Sequence, residues 1–324
     1  MKSIFFNNLD KKRLIKMLSQ KIFVAPLVSL FYLLTIHVMT TEAQTACTKT
    51  LTSAHKACKN EVNDDFWIAV GKCYNLDTSE EVSNCKKDAK EEQKLAHNEC
   101  KDSLTARKEI CKKLGQATYN PKINPDEFLG KDEIIADPNT YFPLKPGITR
   151  TYKGGGETIT VTVTNDTKEI LGVTCIVIHD VVEKSGEVIE DTFDWYGQDI
   201  NGNVWYFGES VKDFEDGQLV SLDGSWEAGV DGAKPGIIMK ANPQVGNIYR
   251  QEFFLGDAED MGEVLSLNKS VTVPYGAYDN VLKTKDWTPI EPDVYEHKFY
   301  APNIGTVMEI NPETGDKVEL IDIQ

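Results

Sequence analysis

The chain has 324 residues, with 51 acidic and 35 basic side chains and a formal net charge of −16. Residues 116–324 carry most of the imbalance, with 37 acidic against 16 basic side chains, while residues 44–115 are nearly neutral, with 12 against 13. The negative electrostatic potential of such a protein repels nucleic acid and anionic lipid, so nucleic-acid binding is excluded.

Residues 1–43 are typical of an export signal. Basic residues precede an apolar run from Ile22 to Met39, and the small residues Thr41 and Ala43 suit a signal peptidase, which predicts cleavage after Ala43. An uncleaved anchor is the competing interpretation, because the run approaches the ~18–20 residues that span a bilayer. Both interpretations place the remaining chain outside the cytoplasm, as a secreted, periplasmic or cell-surface protein. With the signal removed, no stable membrane insertion is expected.

Six of the seven cysteines follow a palindromic spacing within residues 44–115. The gaps between them are 11, 15, 12, 15 and 11 residues, which favours two antiparallel elements folded about residue 79. Of the 15 connectivities that six cysteines allow, this symmetry selects Cys47–Cys111, Cys58–Cys100 and Cys73–Cys85.

The same spacing predicts that both elements are helices. At 100° per residue, the first three cysteines fall within about 80° of one another on a helical face. Thr78 and Glu81 have capping-box spacing at the start of the second helix, and Gly115 ends it. A zinc site that adds His55 and His97 is disfavoured, because zinc ligands cluster at gaps of two to four residues. The prediction is a disulfide-stapled helical hairpin.

Residues 116–148 contain five prolines and are predicted to be an irregular connector. Residues 149–324 show short β-branched runs separated by turn signals, which predicts an antiparallel all-β barrel or sandwich and makes the whole chain α+β. The strands are expected at 158–164, 173–182, 188–196, 204–207, 248–254, 264–273, 294–300 and 306–310. Cys175, within one of them, is interpreted as a lone buried thiol.

A hairpin from Asp194 to Glu209 is the first candidate site. It has a carboxylate at each outer end and aromatic rings between them, including Trp195, Tyr196, Trp205 and Tyr206. Asp199, Asn201 and Asn203 have the oxygen spacing of a calcium loop, and calcium is the cofactor they suggest. A tight turn is the favoured alternative, because the glycine is misplaced for an EF-hand and a strand follows where a helix should.

Two further segments supply candidate ligand-binding residues. A glycine-rich stretch from 224 to 239 displays Trp226, Glu227 and Asp231, with an irregular barrel lid as the plain alternative. The set of candidate ligand-binding residues is completed by Glu252, which precedes the acidic stretch 257–260, and by His297, near the end of the chain.

The strings Asp194–Glu209, Gly224–Met239, Tyr249–Met261 and Tyr300–Gly305 resemble those of a family of secreted bacterial β-rich proteins to which no activity is attached. The resemblance covers roughly residues 140–310. It implies an extracytoplasmic β domain, with the cysteine hairpin as a fused accessory module.

Binding of a small molecule or glycan by these aromatic and carboxylate residues is the favoured functional hypothesis. A carboxylate-based hydrolase using Asp194 with Glu209, or Glu227 with Asp231, is less favoured, since the sequence shows no Gly-x-Ser-x-Gly, His-Glu-x-x-His or phosphate-binding motif. A structural role, with the hairpin as a stalk or partner surface, is the third hypothesis. The sequence does not indicate an oligomeric state.

Overall fold

The protein is described by a computed structural model that covers residues 45–324. The predicted signal therefore lies outside the described residues. No helix within 45–324 has the length and apolarity needed to cross a membrane.

The N-terminal part is the predicted pair of disulfide-linked helices. Helix α1 spans Ala46–Cys73 and helix α2 spans Ser79–Leu114. All three predicted disulfides are present, with Cα–Cα distances of 5.8, 5.9 and 5.6 Å from the outermost pair inward. Thr78 and Glu81 form the predicted capping box, and Gly115, at φ 92°, is the C-cap of α2. The cysteine spacing thus predicted both the helices and their connectivity correctly.

The connector is more ordered than its prolines indicated. It contains a 3-10 turn, Pro125–Glu127, and a short helix α3, Lys131–Ala136. Ile134 and Leu144 are fully buried in the core of the β domain. The prediction of an irregular connector was wrong here, because two isolated apolar side chains dock on the sheet even though the segment shows no periodic pattern.

In the described part of the chain, residues 45–324, fifteen strands form one antiparallel sheet. Their bounds are β1 Thr149–Gly154, β2 Glu157–Ile170, β3 Val173–Lys184, β4 Glu187–Gln198, β5 Val204–Glu215, β6 Gln218–Ser221, β7 Trp226–Glu227, β8 Lys234–Met239, β9 Ile248–Arg250, β10 Glu252–Phe253, β11 Met261–Val273, β12 Gly276–Trp287, β13 Tyr295–Ala301, β14 Gly305–Ile310 and β15 Lys317–Ile323.

The hydrogen-bonded order of the strands is β10-β8-β5-β4-β3-β2-β1-β15-β14-β13-β12-β11-β9, with β6 and β7 also on β5. The two end strands are separated along the chain by a single residue, Gln251. The sheet therefore curves until its ends meet at one chain segment, where the ladder is interrupted and does not close. The prediction of a large antiparallel β domain is confirmed.

Helix α2 docks where the two ends of the sheet meet, which we call the seam of the sheet. The Arg107 side chain, on α2, donates from Nε to both carboxylate oxygens of Glu259, at 3.2 and 3.0 Å, and from Nη2 to Oε1 at 2.5 Å. Both residues are buried. Glu259 lies in the loop between β10 and β11, so the hairpin is fastened where the sheet is interrupted.

Candidate functional site

The hairpin of β4 and β5 aims two carboxylates and two tyrosines at the same side of the sheet. Asp194 lies opposite Glu209, and Tyr196 lies opposite Tyr206. The tyrosine rings stack at 4.7 Å between centroids, and Tyr206 Oη donates to Asp194 Oδ1 at 2.5 Å. All four side chains are buried.

A β-bulge makes this arrangement possible. The register shifts between Trp195 and Tyr196, so that β5 has one residue more than β4 between the two facing pairs. Without it, the two-residue alternation of a strand would point Tyr206 and Glu209 to opposite faces. Gly208 sits in the bulge at φ 140°, and a Cβ there would lie 2.3 Å from the backbone oxygen of Trp226.

Gly208→Ala is therefore expected to lower the free energy of unfolding by about 2–5 kcal/mol, through backbone strain and overpacking. Gly217→Ala is the matched control, because Gly217 also has a positive φ, of 73°, but an added Cβ meets nothing within 4 Å. Gly217→Ala should cost about 1 kcal/mol, because a side chain is disfavoured in the left-handed region. Urea denaturation of the two variants measures the difference, and equal losses would contradict the steric role of Gly208.

Asp180, Trp226 and Glu252 join these four residues. We call the whole set the inner acidic cluster: Asp180, Asp194, Glu209 and Glu252 with Tyr196, Tyr206 and Trp226. Trp226 lies opposite Glu209, and its ring meets that of Tyr206 edge to face at 5.3 Å. Glu252, on β10, is buried. Burial raises the pKa of both tyrosines, and the neighbouring carboxylates, Glu252 among them, add to this effect. Within residues 45–324, Trp226 Nε1 and Asp180 Oδ1 are buried and have no hydrogen-bond partner.

Asp180 was not among the residues singled out from the sequence. It lies on β3 between Ile178 and Val182, and the three side chains share a buried face. Burial is the main cause that raises the pKa of this carboxyl to about 8, and the negative charges of Asp194 and Glu190 add to it. An acidic residue alternating with apolar ones was the signal that could have identified it.

A second polar group lies on β12 to β14, and we call it the Lys298 group. Lys298 Nζ is 3.1 Å from a carboxylate oxygen of Glu296, 3.8 Å from one of Glu309 and 4.0 Å from one of Asp286. Burial raises the pKa of Glu309 to about 8, against the opposing charge of Lys298. Burial raises the pKa of Asp180 and the positive charge of Lys298 opposes this effect, so the two polar groups interact electrostatically.

His297, the residue chosen from this strand, faces the other way. It alternates with Glu296 and Lys298, and it lies near Lys283 and Lys285 on the outer side. Partial burial, with those two lysines, lowers its pKa to about 4. The buried polar residues of this strand are therefore the two neighbours of His297, Glu296 and Lys298.

The remaining predicted ligand residues also lie outside the cluster. Trp195 and Trp205 alternate with the stacked tyrosines along β4 and β5 and face away from them. Lys168 Nζ is 3.2 Å from the centroid of the Trp195 ring and 2.7 Å from Glu227 Oε2, which makes an outer cation–π and ion-pair contact. Asp231 is exposed in a turn, at φ 48°.

Asp199 organises a turn through four donors. Its Oδ1 accepts from the backbone N–H groups of Asn201 and Asn203, each at 2.9 Å. Its Oδ2 accepts from Asn203 Nδ2 at 2.8 Å and Trp205 Nε1 at 2.9 Å. These bonds are those of the tight turn that the sequence favoured over calcium. Within residues 45–324, no three or more His, Cys, Asp or Glu side chains are grouped so as to hold a metal ion.

The described residues line at least two cavities. One of about 30 Å³ adjoins the inner acidic cluster at Tyr196 and is bounded by Phe142, Tyr152, Ile178 and Thr306 among others. A larger one, of about 310 Å³, lies between the start of α1 and the end of α2, beside Leu51, His55 and Gln116. The larger cavity shares no residue with the cluster. Cys175 is a buried free thiol, as predicted.

No family model matches this chain, and no curated protein matches it. Among solved structures, it has a weak similarity to a "putative lipoprotein" from Parabacteroides distasonis. The two share 14% identity over 58% of this chain and 100% of the other, with a TM-score of 0.33. That score is too low for the similarity to support a conclusion about fold or function. The resemblance to secreted bacterial β-rich proteins stays a prediction.

Proposed function

We propose that this is an exported binding protein whose curved, barrel-like β sheet holds a small organic ligand on its inner face. Three disulfides support an oxidising, extracytoplasmic location, since such bonds rarely persist in the cytosol. The sheet supports a rigid interior, because neighbouring strands fix the direction of every side chain that faces it.

The observation that carries the proposal is the inner acidic cluster. Burying a carboxylate or an indole N–H is costly, so protein interiors seldom group several of these side chains together. Here four carboxylates are buried beside two stacked tyrosines and one tryptophan. Aromatic walls with a few convergent polar groups are typical of small-molecule sites.

A thermal-shift screen of the full protein, with its disulfides intact, tests the proposal. The compounds are mono- and disaccharides, amino acids, polyols and small amines. At least one is expected to raise the melting temperature, because a ligand that binds only the folded state stabilises it.

Tyr206→Phe should reduce that shift, since it removes the hydroxyl that Asp194 accepts from and leaves the ring in place. Tyr275→Phe is the control, because Tyr275 is 43% exposed and lies in the turn between β11 and β12. A screen in which no compound stabilises the protein, or in which both variants respond like the wild type, would overturn the proposal.

The stalk hypothesis is revised by the docking of the hairpin. Arg107 and Glu259 join α2 to the β domain through a buried pair, and Tyr119 Oη donates to the backbone oxygen of Pro235 at 2.8 Å. We propose that the hairpin braces the seam of the sheet.

A further inference from the structure

We propose that the helical hairpin has a binding site of its own, in the cavity between the start of α1 and the end of α2, and that this site binds a small carboxylate with an apolar body. We call this space the hairpin cavity. The inference goes beyond the proposed function, because the residues that line the hairpin cavity are all outside the β domain.

The size and walls of the hairpin cavity suit a small organic molecule. Its volume is about 310 Å³, at the lower end of the ~300–1,000 Å³ that is usual for ligand pockets and roughly twice the ~150 Å³ of a cavity that binds benzene. Leu51, Leu104 and Cys111, which is cross-linked to Cys47, form its apolar walls. A phenyl ring or a short alkyl chain would be shielded from water against them.

The charges around the hairpin cavity favour an anion. Within the described chain, the residues that line it include Lys108 but no aspartate or glutamate. Residues 46–60 of α1 contain three lysines and one histidine and no acidic residue, in a chain with 51 acidic side chains. Residues 116–324, by contrast, carry 37 acidic against 16 basic side chains and repel an anion. The hairpin is therefore the part of the protein whose charge complements a carboxylate.

The polar side chains at the wall of the hairpin cavity are held in fixed orientations. Gln116 Oε1 accepts from Thr48 Oγ1 at 2.6 Å and from the Thr48 backbone N–H at 3.3 Å. These bonds orient the amide, and within residues 45–324 its Nε2 group donates to no other atom. A carboxylate between Gln116 and Lys108 would accept hydrogen bonds from both side chains.

The ring of His55 is oriented in the same way. Its Nδ1 lies 3.0 Å from the backbone oxygen of Cys100. Because a carbonyl oxygen can only accept, Nδ1 carries a proton and donates it to this bond, and Nε2 is the ring nitrogen left to contact a ligand. His55 lines the hairpin cavity and therefore also serves as a spectroscopic reporter of occupancy.

Acids and their primary amides test the charge of the ligand on the full protein with its disulfides intact. The pairs are hydrocinnamate with hydrocinnamamide, benzoate with benzamide, and hexanoate with hexanamide. Isothermal titration calorimetry is expected to show that the acid of at least one pair binds about tenfold more tightly than its amide, because its hydrogen bonds are charge-assisted. The same acid should shift the ring resonances of His55 in a proton–carbon NMR spectrum, in which the variant His55→Gln identifies them.

Two lysine variants locate the carboxylate. Lys108→Met should reduce the preference for the acid about tenfold, since it removes the ammonium group and keeps an apolar stem of similar length. Lys94→Met is the matched control, because Lys94 is also an exposed residue of α2 but does not line the hairpin cavity. It should leave the preference unchanged.

Two leucine variants locate the apolar body. Leu104→Trp fills the hairpin cavity and should abolish binding of the acid and of its amide. Leu95→Trp is its control, because Leu95 lies on the same helix and is 62% exposed. Circular dichroism checks that each variant is folded. If Leu104→Trp does not fold, the lysine variants and the His55 resonances still decide the result.

Several outcomes would overturn this inference and leave the proposed function of the β domain untouched. They are the absence of binding of any acid at millimolar concentration, amides that bind as tightly as their acids, and an equal effect of Lys108→Met and Lys94→Met. Acid binding that leaves the His55 resonances unshifted would place the site elsewhere and also overturn it. Conversely, loss of the Tyr206→Phe effect in the thermal-shift screen would overturn the proposed function and not the hairpin site.

Discussion

Glu259→Leu is expected to lower the free energy of unfolding by about 3–5 kcal/mol, the usual effect of removing one partner from a buried ion pair. Arg107 would remain buried without its carboxylate and would keep only the bond from Nη1 to Ser103 Oγ, at 2.6 Å. The Gly256 N–H, which donates to Glu259 Oε1 at 2.9 Å, would also lose its acceptor. Urea denaturation measures the loss.

The double variant Arg107→Met with Glu259→Leu should recover most of that stability, because an apolar pair of similar volume removes the unpaired charge. Glu109→Gln is the control, since the Glu109–Lys112 pair is exposed and such pairs contribute less than about 1 kcal/mol. If Glu259→Leu behaves like Glu109→Gln, the hairpin is not fastened to the β domain by this pair. Faster proteolysis of residues 116–124 in the single variant would support the docking.

The second large effect is a loss of stability as pH rises from about 6.5 to 8. Burial raises the pKa values of Asp180 and Glu309 to about 8, whereas carboxyl groups in an unfolded chain titrate near 4. Between these values the folded protein binds more protons than the unfolded chain. Its free energy of unfolding therefore falls as pH increases, by about 1.4 kcal/mol for each pH unit and each carboxyl.

His297 sets the lower limit of this window. Its pKa is lowered to about 4, so between pH 4 and its ordinary value of about 6.5 the unfolded chain binds the extra proton. In that range His297 makes stability rise with pH and opposes the two carboxyl groups. As pH rises above 6.5 the histidine becomes neutral in the unfolded chain as well, and the slope increasingly reports the carboxyl groups.

Asp180→Asn tests the assignment, because the amide keeps the shape of the side chain and cannot titrate. The slope of the free energy of unfolding between pH 6.5 and 8 should decrease by about 1.4 kcal/mol per pH unit. Asp166→Asn, at an exposed position, should leave it unchanged. A wild-type stability that is flat or rising in this window would contradict the raised pKa values.

Much of the local structure was readable from the sequence. The eight strands expected from alternation are present, although the strand expected at 248–254 is split into β9 and β10. The strands that were missed have specific causes. Residues 234–239 of β8 lie in a stretch whose glycines predicted unusual backbone conformations, and β1, β12 and β15 lack a run of β-branched residues.

The side of the sheet on which each side chain lies was predicted less well. Asp194, Tyr196, Tyr206, Glu209, Trp226 and Glu252 lie in one buried cluster, while Trp195, Trp205, Glu227, Asp231 and His297 do not. A bulge within β5 sets which residues of this hairpin face inward, and composition does not reveal where a bulge falls. Neighbouring residues of a strand face opposite sides, so Glu296 and Lys298 face inward while His297 faces outward.

The sequence by itself determined the cysteine-stapled hairpin, because helical periodicity and palindromic spacing are local properties that leave one antiparallel pairing favoured. It also determined the acidic, strand-rich character of the rest. Only the tertiary structure decided that the carboxylates of β3, β4, β5 and β10 share one interior, and that Arg107 meets Glu259 across 152 residues. Burial and charge pairing depend on how distant strands curve around one core, and no spacing along the chain encodes that distance.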